Sequence, residues 1–420
     1  MIALILCALP AMAGSLGEPE VWSLDEATQV VLVEDHRAPL VELRVQLPAG
    51  SWTPWFAENH GEEAWTLQHY DPDGALRARA DALAIDLSLS TRQQRSLLSV
   101  SCLKRDLPEA LDLVVDIFGN SAYDAAELKR TQKGRNIGWE SSQKDPNFRM
   151  GAATAALLFD EGDPRRIPFS EPAKVETDGD TLAATRDAML ALPGRVIGFG
   201  GDLTREEVDA LAGSLLPAAG EAPEGMAPEF LPLVQRPEAL VEPMPNLTQI
   251  YFSYLREGPT WDDDDYVAWM LADHTLGGHF FSRLYVALRH EGGETYGAYT
   301  SGGGAAEPEA YALSTFTRAD NKEVTEGKLR ATLQTFYDDG ITAEELTEAV
   351  GYMAGSRLRS LQAPGQVLDE AMWALGNDRP LDWEDQLIAR AQELTVEDVN
   401  ATIKAFYEPR KFTMLTVEPE

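Results

Sequence analysis

Cysteine is scarce in this sequence, and that scarcity limits how the protein can be stabilised. Only Cys7 and Cys102 occur among 420 residues. Cys7 lies within the apolar N-terminal stretch MIALILCALPAMA, which ends in Ala-Met-Ala, the small-x-small pattern of a signal-peptidase site. Removal of residues 1–13 as a signal peptide would leave Cys102 alone and exclude an intramolecular disulfide. Cys102 stands at an apolar strand position, which predicts a buried, unreactive thiol.

Basic residues and long apolar runs are also lacking. The chain has 35 Lys and Arg residues against 69 Asp and Glu residues, and its formal net charge is -34. This balance argues against nucleic acid and anionic lipid as partners, and it favours solubility or, as an alternative, a preference for basic peptides. Beyond the N-terminal stretch, no segment approaches the roughly eighteen consecutive apolar residues of a membrane span. We therefore expect an exported protein, periplasmic or secreted, without a membrane span.

An internal repeat organises the rest of the sequence. Within residues 107–120, apolar side chains recur at helical spacing, and Asp124 can cap the next helix; the predicted stripe is Leu111, Val114, Val115 and Phe118. About 218 positions later, a second apolar helix ends at Gly340, and Thr342 with Glu345 can form a capping box. The stripe of this second helix is Val324, Leu329, Leu333 and Phe336.

Strands repeat at a similar offset. VELRVQL (41–47) and IYFSYL (250–255) each alternate apolar side chains, which is typical of strands with one buried face. RVIGFGGDL (195–203) has a counterpart in KFTMLTVEP (411–419). An offset of about 210 residues, held across several elements, is too long for a solenoid repeat and indicates a duplicated domain.

The two halves are separated by a proline-rich segment, residues 217–247. Proline excludes a helix or a central strand, so we predict a linker there, between an N-terminal domain at 20–216 and a C-terminal domain at 248–420. Each half mixes strands with helix pairs, and residues 85–89 turn back to 98–102 as a hairpin. The predicted fold class is α+β, with two homologous domains that each pack helices on one face of a largely antiparallel sheet.

This duplicated pattern resembles the insulinase, or pitrilysin, superfamily of zinc peptidases. The most similar segment is GGHFFSRLYVALRHEGGETYGAYTSG, residues 277–302, which resembles the signature of the family's second domain. In that signature an Arg and a Tyr seven positions apart engage the substrate. Arg289 and Tyr296 stand in those positions, with Gly293 between them. The resemblance therefore implies that Arg289 and Tyr296 bind substrate.

The first half resembles the same family without its complete metal site. The family's H-x-x-E-H motif places two zinc-binding histidines on one helical face with a glutamate base beside them, and a third ligand, a Glu, follows downstream. The preceding strand and turn set a register in which Trp65, Gln68 and His69 occupy the first-ligand, base and second-ligand positions. Glu140 resembles the third ligand. An indole has no lone pair for a metal, and an amide takes no proton from water, so His69 and Glu140 are vestigial positions and we expect no catalysis by the isolated chain.

A second register starts at His60 and supplies a histidine and the glutamate Glu63 before it fails at Ala64. A site shared by His60 and His69 is a further alternative. These two residues would lie ~13 Å apart along a continuous helix, so a common metal would need a break in that helix.

Some members of the superfamily work as pairs in which one subunit carries the zinc motif and the other the Arg/Tyr signature. By this resemblance the chain is the second kind: Arg289 holds a substrate carbonyl, and Tyr296 donates a hydrogen bond to the oxygen that gains charge. Zinc and base are expected in a homologous partner subunit, with no cofactor in this chain. Two alternatives stay open, a structural or peptide-binding homologue without a part in proteolysis, and an autonomous zinc peptidase.

Overall fold

The structure is a computed structural model that describes residues 17–66, 74–119, 125–171, 178–231 and 239–420. The predicted signal peptide at 1–13 lies outside the described residues, and so do Gln68, His69 and Asp124. What the sequence indicates for these positions stays a prediction.

The strands follow the alternation seen in the sequence. Within the described residues they are β1 (Glu20–Ser23), β2 (Thr28–Glu34), β3 (Leu40–Leu47), β4 (Asp86–Thr91), β5 (Ser96–Leu103), β6 (Arg195–Gly201), β7 (Ala239–Met244), β8 (Gln249–Glu257), β9 (Ala298–Ser301), β10 (Ala310–Arg318) and β11 (Thr413–Pro419). Strands β3 and β8 contain the two alternating segments, and β4 with β5 forms the predicted hairpin, in which Leu87 lies opposite Val100.

The helices of the described residues lie mostly between the strands and after them. They are α1 (Pro54–Glu58), α2 (Gly61–Thr66), α3 (Ala75–Ala82), α4 (Leu107–Gly119), α5 (Ala125–Ser142), α6 (Pro146–Leu158), α7 (Gly179–Leu190), α8 (Arg205–Ala212), α9 (Tyr266–Asp273), α10 (Arg283–Tyr285), α11 (Lys322–Asp339), α12 (Ala343–Ser360), α13 (Pro364–Gly376), α14 (Trp383–Glu393) and α15 (Val396–Phe406). None of them combines the length and the apolar character that crossing a bilayer requires.

The described residues divide into two compact units. Unit 1 comprises the described parts of Met1–Leu128, Thr177–Ala227 and Leu358–Leu381, and unit 2 those of Lys129–Glu176, Pro228–Arg357 and Asp382–Glu420. The strand order is β1-β2-β6-β3-β5-β4 in unit 1 and β7-β11-β8-β10-β9 in unit 2. Apart from β1 the orders correspond, and each sheet has one parallel pair, β2 with β6 or β7 with β11, among antiparallel pairs. This confirms the predicted α+β fold with duplicated, largely antiparallel sheets.

Helix α4 covers one face of the unit 1 sheet, although its buried stripe is shifted from the predicted one. Leu113, Val114 and Ile117 are buried, whereas Val115 is 48% exposed. In unit 2, α11 buries Leu329, Leu333 and Phe336 as expected and leaves Val324 exposed. Both errors have the same cause: one apolar side chain at the margin of a helical stripe satisfies the spacing rule without reaching the core.

The opposite face of the unit 1 sheet is partly covered by α13. Val367 and Leu368 of this helix pack against Val31 and Val196 of the sheet. Gly198 of β6 makes this close approach possible, because a Cβ atom at that position would lie 2.4 Å from the sulfur of Met372. Helices therefore pack on both faces of this sheet, and α13 comes close to its face because Gly198 has no side chain there.

In unit 2 the corresponding place is taken by α6. Its Ala155 and Leu158 pack with Leu255 of β8, Ala312 of β10 and Leu415 of β11. Asp145 begins this helix, and its carboxylate accepts hydrogen bonds from the backbone N–H groups of residues 147 and 148. Helix α6 precedes the proline-rich segment in sequence, yet it completes the core of unit 2, whose strands all come after α6.

The compact units are consequently discontinuous in sequence, whereas the predicted domains are continuous. Helix α6 belongs to unit 2 and α13 to unit 1. An apolar stripe shows that a helix has a buried face but not which sheet covers that face. The predicted linker also contains β7, which lies at the edge of its sheet, where Pro243 is tolerated because an edge strand has unpaired N–H positions.

The predicted capping box before α12 is present and allows a test. The carboxylate of Glu345 accepts a hydrogen bond from the N–H of Thr342 (2.8 Å), and the Thr342 hydroxyl accepts one from the N–H of Glu345 (3.2 Å). Replacing Thr342 by Ala is expected to lower the free energy of unfolding by about 1 kcal/mol, as measured by urea denaturation. Thr347→Ala, an exposed change inside the same helix, is the control and should be neutral or slightly stabilising. Equal losses for both variants would contradict the cap.

Candidate functional site

The segment that carries Arg289 and Tyr296 lies within unit 2 and has an irregular helical structure. A π-helical turn, His274–Gly278, follows α9, and a second, Val286–His290, follows the short α10. π-Helical turns inside α-helices occur often at functional sites, because the extra residue redirects the side chains around it. Arg289 lies on the second turn, and the chain then continues through a loop to Tyr296 and β9.

Arg289 and Tyr296 lie in contact with each other, and the contact is made through the backbone of Tyr296. The Nη1 atom of Arg289 donates a hydrogen bond to the Tyr296 carbonyl oxygen at 2.7 Å. The guanidinium carbon also lies 5.7 Å from the centre of the Tyr296 ring. At this distance the ring face attracts the cation. Arg289 therefore orients Tyr296, in addition to whatever ligand its other N–H groups bind.

The loop before β9 is held by threonine hydroxyl groups. Thr317 donates to the carbonyl of Glu294 at 2.7 Å, and Thr315 donates to the carbonyl of Gly297 at 2.9 Å. Gly293 turns the loop with a φ of 71°, a conformation that disfavours other residues. The backbone on both sides of Tyr296 is therefore fixed, although its side chain is 79% exposed.

Aromatic side chains surround Arg289, and the sequence analysis did not identify them. The guanidinium carbon lies 5.8 Å from the Phe280 ring and 5.2 Å from the Tyr285 ring. Phe281 continues the group, with its ring 5.2 Å from that of Phe280. We call Phe280, Phe281, Tyr285 and Tyr296 the aromatic cluster. Phe280 and Phe281 are 59% and 69% exposed, and two consecutive phenylalanines beside a polar turn were the signal available in the sequence.

The short helix α10 is attached to the neighbouring helices by Arg283. Its guanidinium forms two hydrogen bonds to the Glu345 carboxylate, at 2.8 and 2.7 Å, and one to the carbonyl of Gly340. Burial raises the pKa of Glu345, but the hydrogen bonds from Arg283 and the N–H of Thr342 outweigh it, so that the net pKa is lowered. The carboxylate that caps α12 is thus also the anchor of α10.

Two histidines that the sequence analysis did not single out flank the first π-helical turn. The rings of His274 and His279 stack with centres 4.2 Å apart, and His279 Nδ1 donates to the His274 carbonyl oxygen. Burial, together with the adjacent His279, lowers the pKa of His274 to about 4, so this imidazole is neutral near pH 7. A small cavity of about 140 Å³ beside the pair is also lined by Arg283, Glu345 and Glu348.

Trp65 occupies the first-ligand position in unit 1 and is built into the core. It is fully buried, its indole N–H donates to the Ser90 carbonyl at 3.1 Å, and its ring lies 6.1 Å from that of Phe118. This side chain fills space between α2, α4 and the sheet. The residue at this position therefore does not fit a zinc site, in either its chemistry or its packing.

Of the other residues considered for the metal motif, His60, Glu63 and Glu140 lie within the described part of the chain. The helix is interrupted at His60, which has a φ of 58°, and His60 Nδ1 lies 4.0 Å from a carboxylate oxygen of Glu63. Glu140 is exposed on α5. Across the described ranges, which omit Gln68 and His69, no group of three or more His, Cys, Asp or Glu side chains is arranged to hold a metal ion.

Cys102 is buried on β5, as predicted. Burial raises the pKa of its thiol to about 11, with smaller contributions from Asp106 and Glu42. The reactive form of cysteine is the thiolate, so this residue is not a nucleophile near neutral pH.

A family model matches part of this chain. Residues 182–352 match the model described as "Peptidase M16 inactive domain". The matched range contains both Arg289 and Tyr296, together with the aromatic cluster. No curated protein matches the chain significantly.

Several solved structures share the fold over almost the whole chain. A peptidase M16 inactive domain from Pseudomonas fluorescens has a TM-score of 0.80 at 22% identity, covering 96% of this chain and 98% of that one. A protease from Helicobacter pylori has the same TM-score at 14% identity, with coverages of 96% and 100%. The periplasmic protease PqqL from Escherichia coli has a TM-score of 0.72 at 13% identity, and 97% of this chain matches 47% of that longer one.

Proposed function

The chain belongs to the insulinase (M16) peptidase superfamily as an inactive-type homologue, and on this premise we propose that it is the peptide-binding subunit of a two-chain zinc peptidase. In this proposal it supplies Arg289 and Tyr296, and a homologous partner subunit supplies the zinc and the base. We also propose export to the periplasm or the outside of the cell, which the apolar stretch at 1–13 supports. The periplasmic location of PqqL, which shares the fold, points the same way.

The proposal rests on the contrast between the zinc-motif position and the substrate-binding positions of this chain. The position where the family's first zinc ligand would stand holds a fully buried indole, whereas the positions of the substrate-binding pair hold residues with accessible polar groups. Tyr296 is 79% exposed, yet its backbone is fixed by Arg289, Thr315 and Thr317. Packing alone does not require an exposed side chain on so well fixed a backbone. A binding role does require it, because a donor that is already in position loses little freedom when the ligand arrives.

The residues of this chain have separate roles in the proposed reaction. An extended peptide adds to a sheet edge, and its main-chain groups pair with the edge strand. Arg289 holds a peptide carbonyl with the N–H groups that Tyr296 does not use. Tyr296 donates its phenolic hydrogen to the oxygen that becomes negative when water adds to the scissile carbonyl. A donor in that position contributes about 3 kcal/mol of transition-state stabilisation.

Reconstitution tests the proposal. The purified chain is mixed with an exported M16 homologue that has an intact H-x-x-E-H motif, and cleavage of an unstructured fluorogenic peptide is followed. We expect cleavage in the mixture, its loss on addition of EDTA, and none from this chain alone. Peptide cleavage by the homogeneous single chain that EDTA suppresses would contradict the proposal and support an autonomous peptidase.

The alternative is a structural or peptide-binding homologue without a part in proteolysis. The low identity to each solved M16 structure, 22% or less, leaves room for it, because a shared fold does not fix an activity. If it holds, the double change of Arg289 and Tyr296 to Ala alters the stability of the chain and leaves the peptidase activity of every reconstituted mixture unchanged.

A further inference from the structure

We propose that Arg289 and the aromatic cluster bind the free C-terminal carboxylate of a peptide whose last side chain is apolar. This inference rests on the proposed function and names the class of ligand that the same site binds. It concerns binding by this chain alone, without a partner subunit.

The charge of Arg289 is the first observation that supports it. Other cationic side chains of the region are paired: Arg283 with Glu345, and Lys328 with Glu294 at 2.6 Å. Among the described residues, the contacts of Arg289 are a carbonyl oxygen and three aromatic rings, with no carboxylate. In a chain of net charge -34, a half-buried guanidinium without a counter-charge favours an anionic ligand.

The geometry of the guanidinium is the second observation. Its bond to the Tyr296 carbonyl uses Nη1, which leaves the edge formed by Nε and Nη2. Two parallel N–H groups on one edge match the two oxygens of a carboxylate, and such paired bonds are stronger than a single bond to a neutral carbonyl. The exposed phenol of Tyr296 can donate a further hydrogen bond to the same anion.

The aromatic cluster determines the neighbouring side chain of the ligand. Phe280 and Phe281 expose more than half of their surface next to Arg289, and an apolar side chain would cover that surface. The Phe280 ring already lies near the Arg289 guanidinium, so a Lys or Arg side chain of the ligand at this position would meet a like charge. Although the whole chain is acidic, the local surface therefore favours an apolar residue over a basic one.

The chemistry of peptide hydrolysis also supports a free carboxylate as the ligand of this site. Water adds to the carbonyl carbon, the C–N bond breaks, the nitrogen leaves as an amine, and the carbonyl carbon becomes a carboxylate. A site that stabilises the charged oxygen of that carbon is therefore also suited to the new C-terminal carboxylate of the product. A peptide with a free C-terminus should thus bind this site without being cleaved.

Fluorescence anisotropy of labelled tetrapeptides tests the inference on the purified full chain. The probe is fluorescein-Ala-Ala-Ala-Phe with a free carboxylate, compared with its C-terminal amide and with a probe that ends in Lys. We expect the free acid with Phe to bind at least tenfold more tightly than either of the other two. Equal affinities for the acid and the amide would overturn the inference.

Variants separate the two parts of the site. Arg289→Gln should remove the preference for acid over amide, and Phe281→Ala should remove the preference for Phe over Lys while the acid stays preferred over the amide. Arg318→Gln is the control, because Arg318 is exposed, lies in the same unit and is paired with Asp320. Circular dichroism checks the fold of each variant. An acid preference that survives in Arg289→Gln would also reject the inference.

The outcome can be distinguished from a failure of the proposed function, because the binding assay contains neither zinc nor a partner. If the mixture cleaves peptide but this chain shows no carboxylate-dependent binding, the inference is wrong and the proposed function still holds. Carboxylate-dependent binding without activity in any mixture would identify a peptide-binding homologue instead.

Discussion

Replacing Trp65 by His, which restores the first residue of the zinc motif, is expected to destabilise the protein rather than to recreate a metal site. Trp65 is fully buried, and its removal leaves a cavity between α2, α4 and the sheet. Truncation of a buried Trp costs about 3–5 kcal/mol. The smaller imidazole recovers part of the packing but brings a buried polar group, and the Ser90 carbonyl loses its donor. Urea denaturation of the purified chain measures the loss.

Trp55→His is the matched control for this prediction. Trp55 lies on α1 in the same unit and is only partly buried at the margin of the same core, so its loss should cost clearly less. Zinc content is measured on both variants, and on Trp65→His combined with Gln68→Glu, and we expect no stoichiometric metal in any of them. A stable Trp65→His variant that binds one zinc would show that the core tolerates a metal ligand at this position.

The buried indole also explains why restoring the residue types of the motif is not expected to restore a zinc site. The sequence shows that an imidazole has become an indole, and this alone predicts that metal binding is lost. Only the structure shows that the indole packs on Phe118 and donates to a backbone carbonyl of β4. The Trp65 side chain therefore contributes to the stability of unit 1. Restoring a metal ligand at this position would require the surrounding core to be repacked.

The duplicated fold could be predicted from the sequence because its signals are local. The alternation in β3 and β8 and the capping pattern of Thr342 and Glu345 depend on residues within a few positions of each other. The positions of α6 and α13 could not be predicted in the same way. Their apolar faces require a partner, but the partner strands lie far away in sequence, and spacing carries no information about that choice.

For the candidate site, too, the sequence predicts some features and not others. The family signature predicts that Arg289 and Tyr296 both bind substrate, which stays a prediction, and the structure shows that the two residues lie in contact with each other. The bond between them joins a side chain to a backbone carbonyl, and a signature of residue types does not contain that detail. The exposure of Phe280 and Phe281 could not be inferred either, since apolar residues beside a helix are more often buried.

Changing Tyr296 to Phe is expected to lower kcat of the reconstituted peptidase about 100-fold with KM almost unchanged. The variant keeps the ring near Arg289 and the backbone carbonyl that Arg289 binds, and it removes the hydroxyl alone. Loss of one donor to a developing oxyanion costs about 10²–10³ in kcat. A hydrogen bond made only in the transition state leaves substrate binding intact, so the effect belongs in kcat. Steady-state kinetics on the mixture, with subunit ratios fixed, give both constants.

Tyr299→Phe is the matched control, because Tyr299 lies three residues away on β9, is 50% exposed and loses the same group. Its kinetic constants should stay within about twofold of those of the unchanged chain. Both variants should unfold at the same urea concentration as the unchanged chain, since exposed hydroxyl groups contribute little to stability. A variant Tyr296→Phe with a raised KM and an unchanged kcat would contradict the prediction. Tyr296 would then contribute to binding of the substrate and not to the transition state, and the hydrogen-bond donor to the developing oxyanion would have to come from the partner subunit.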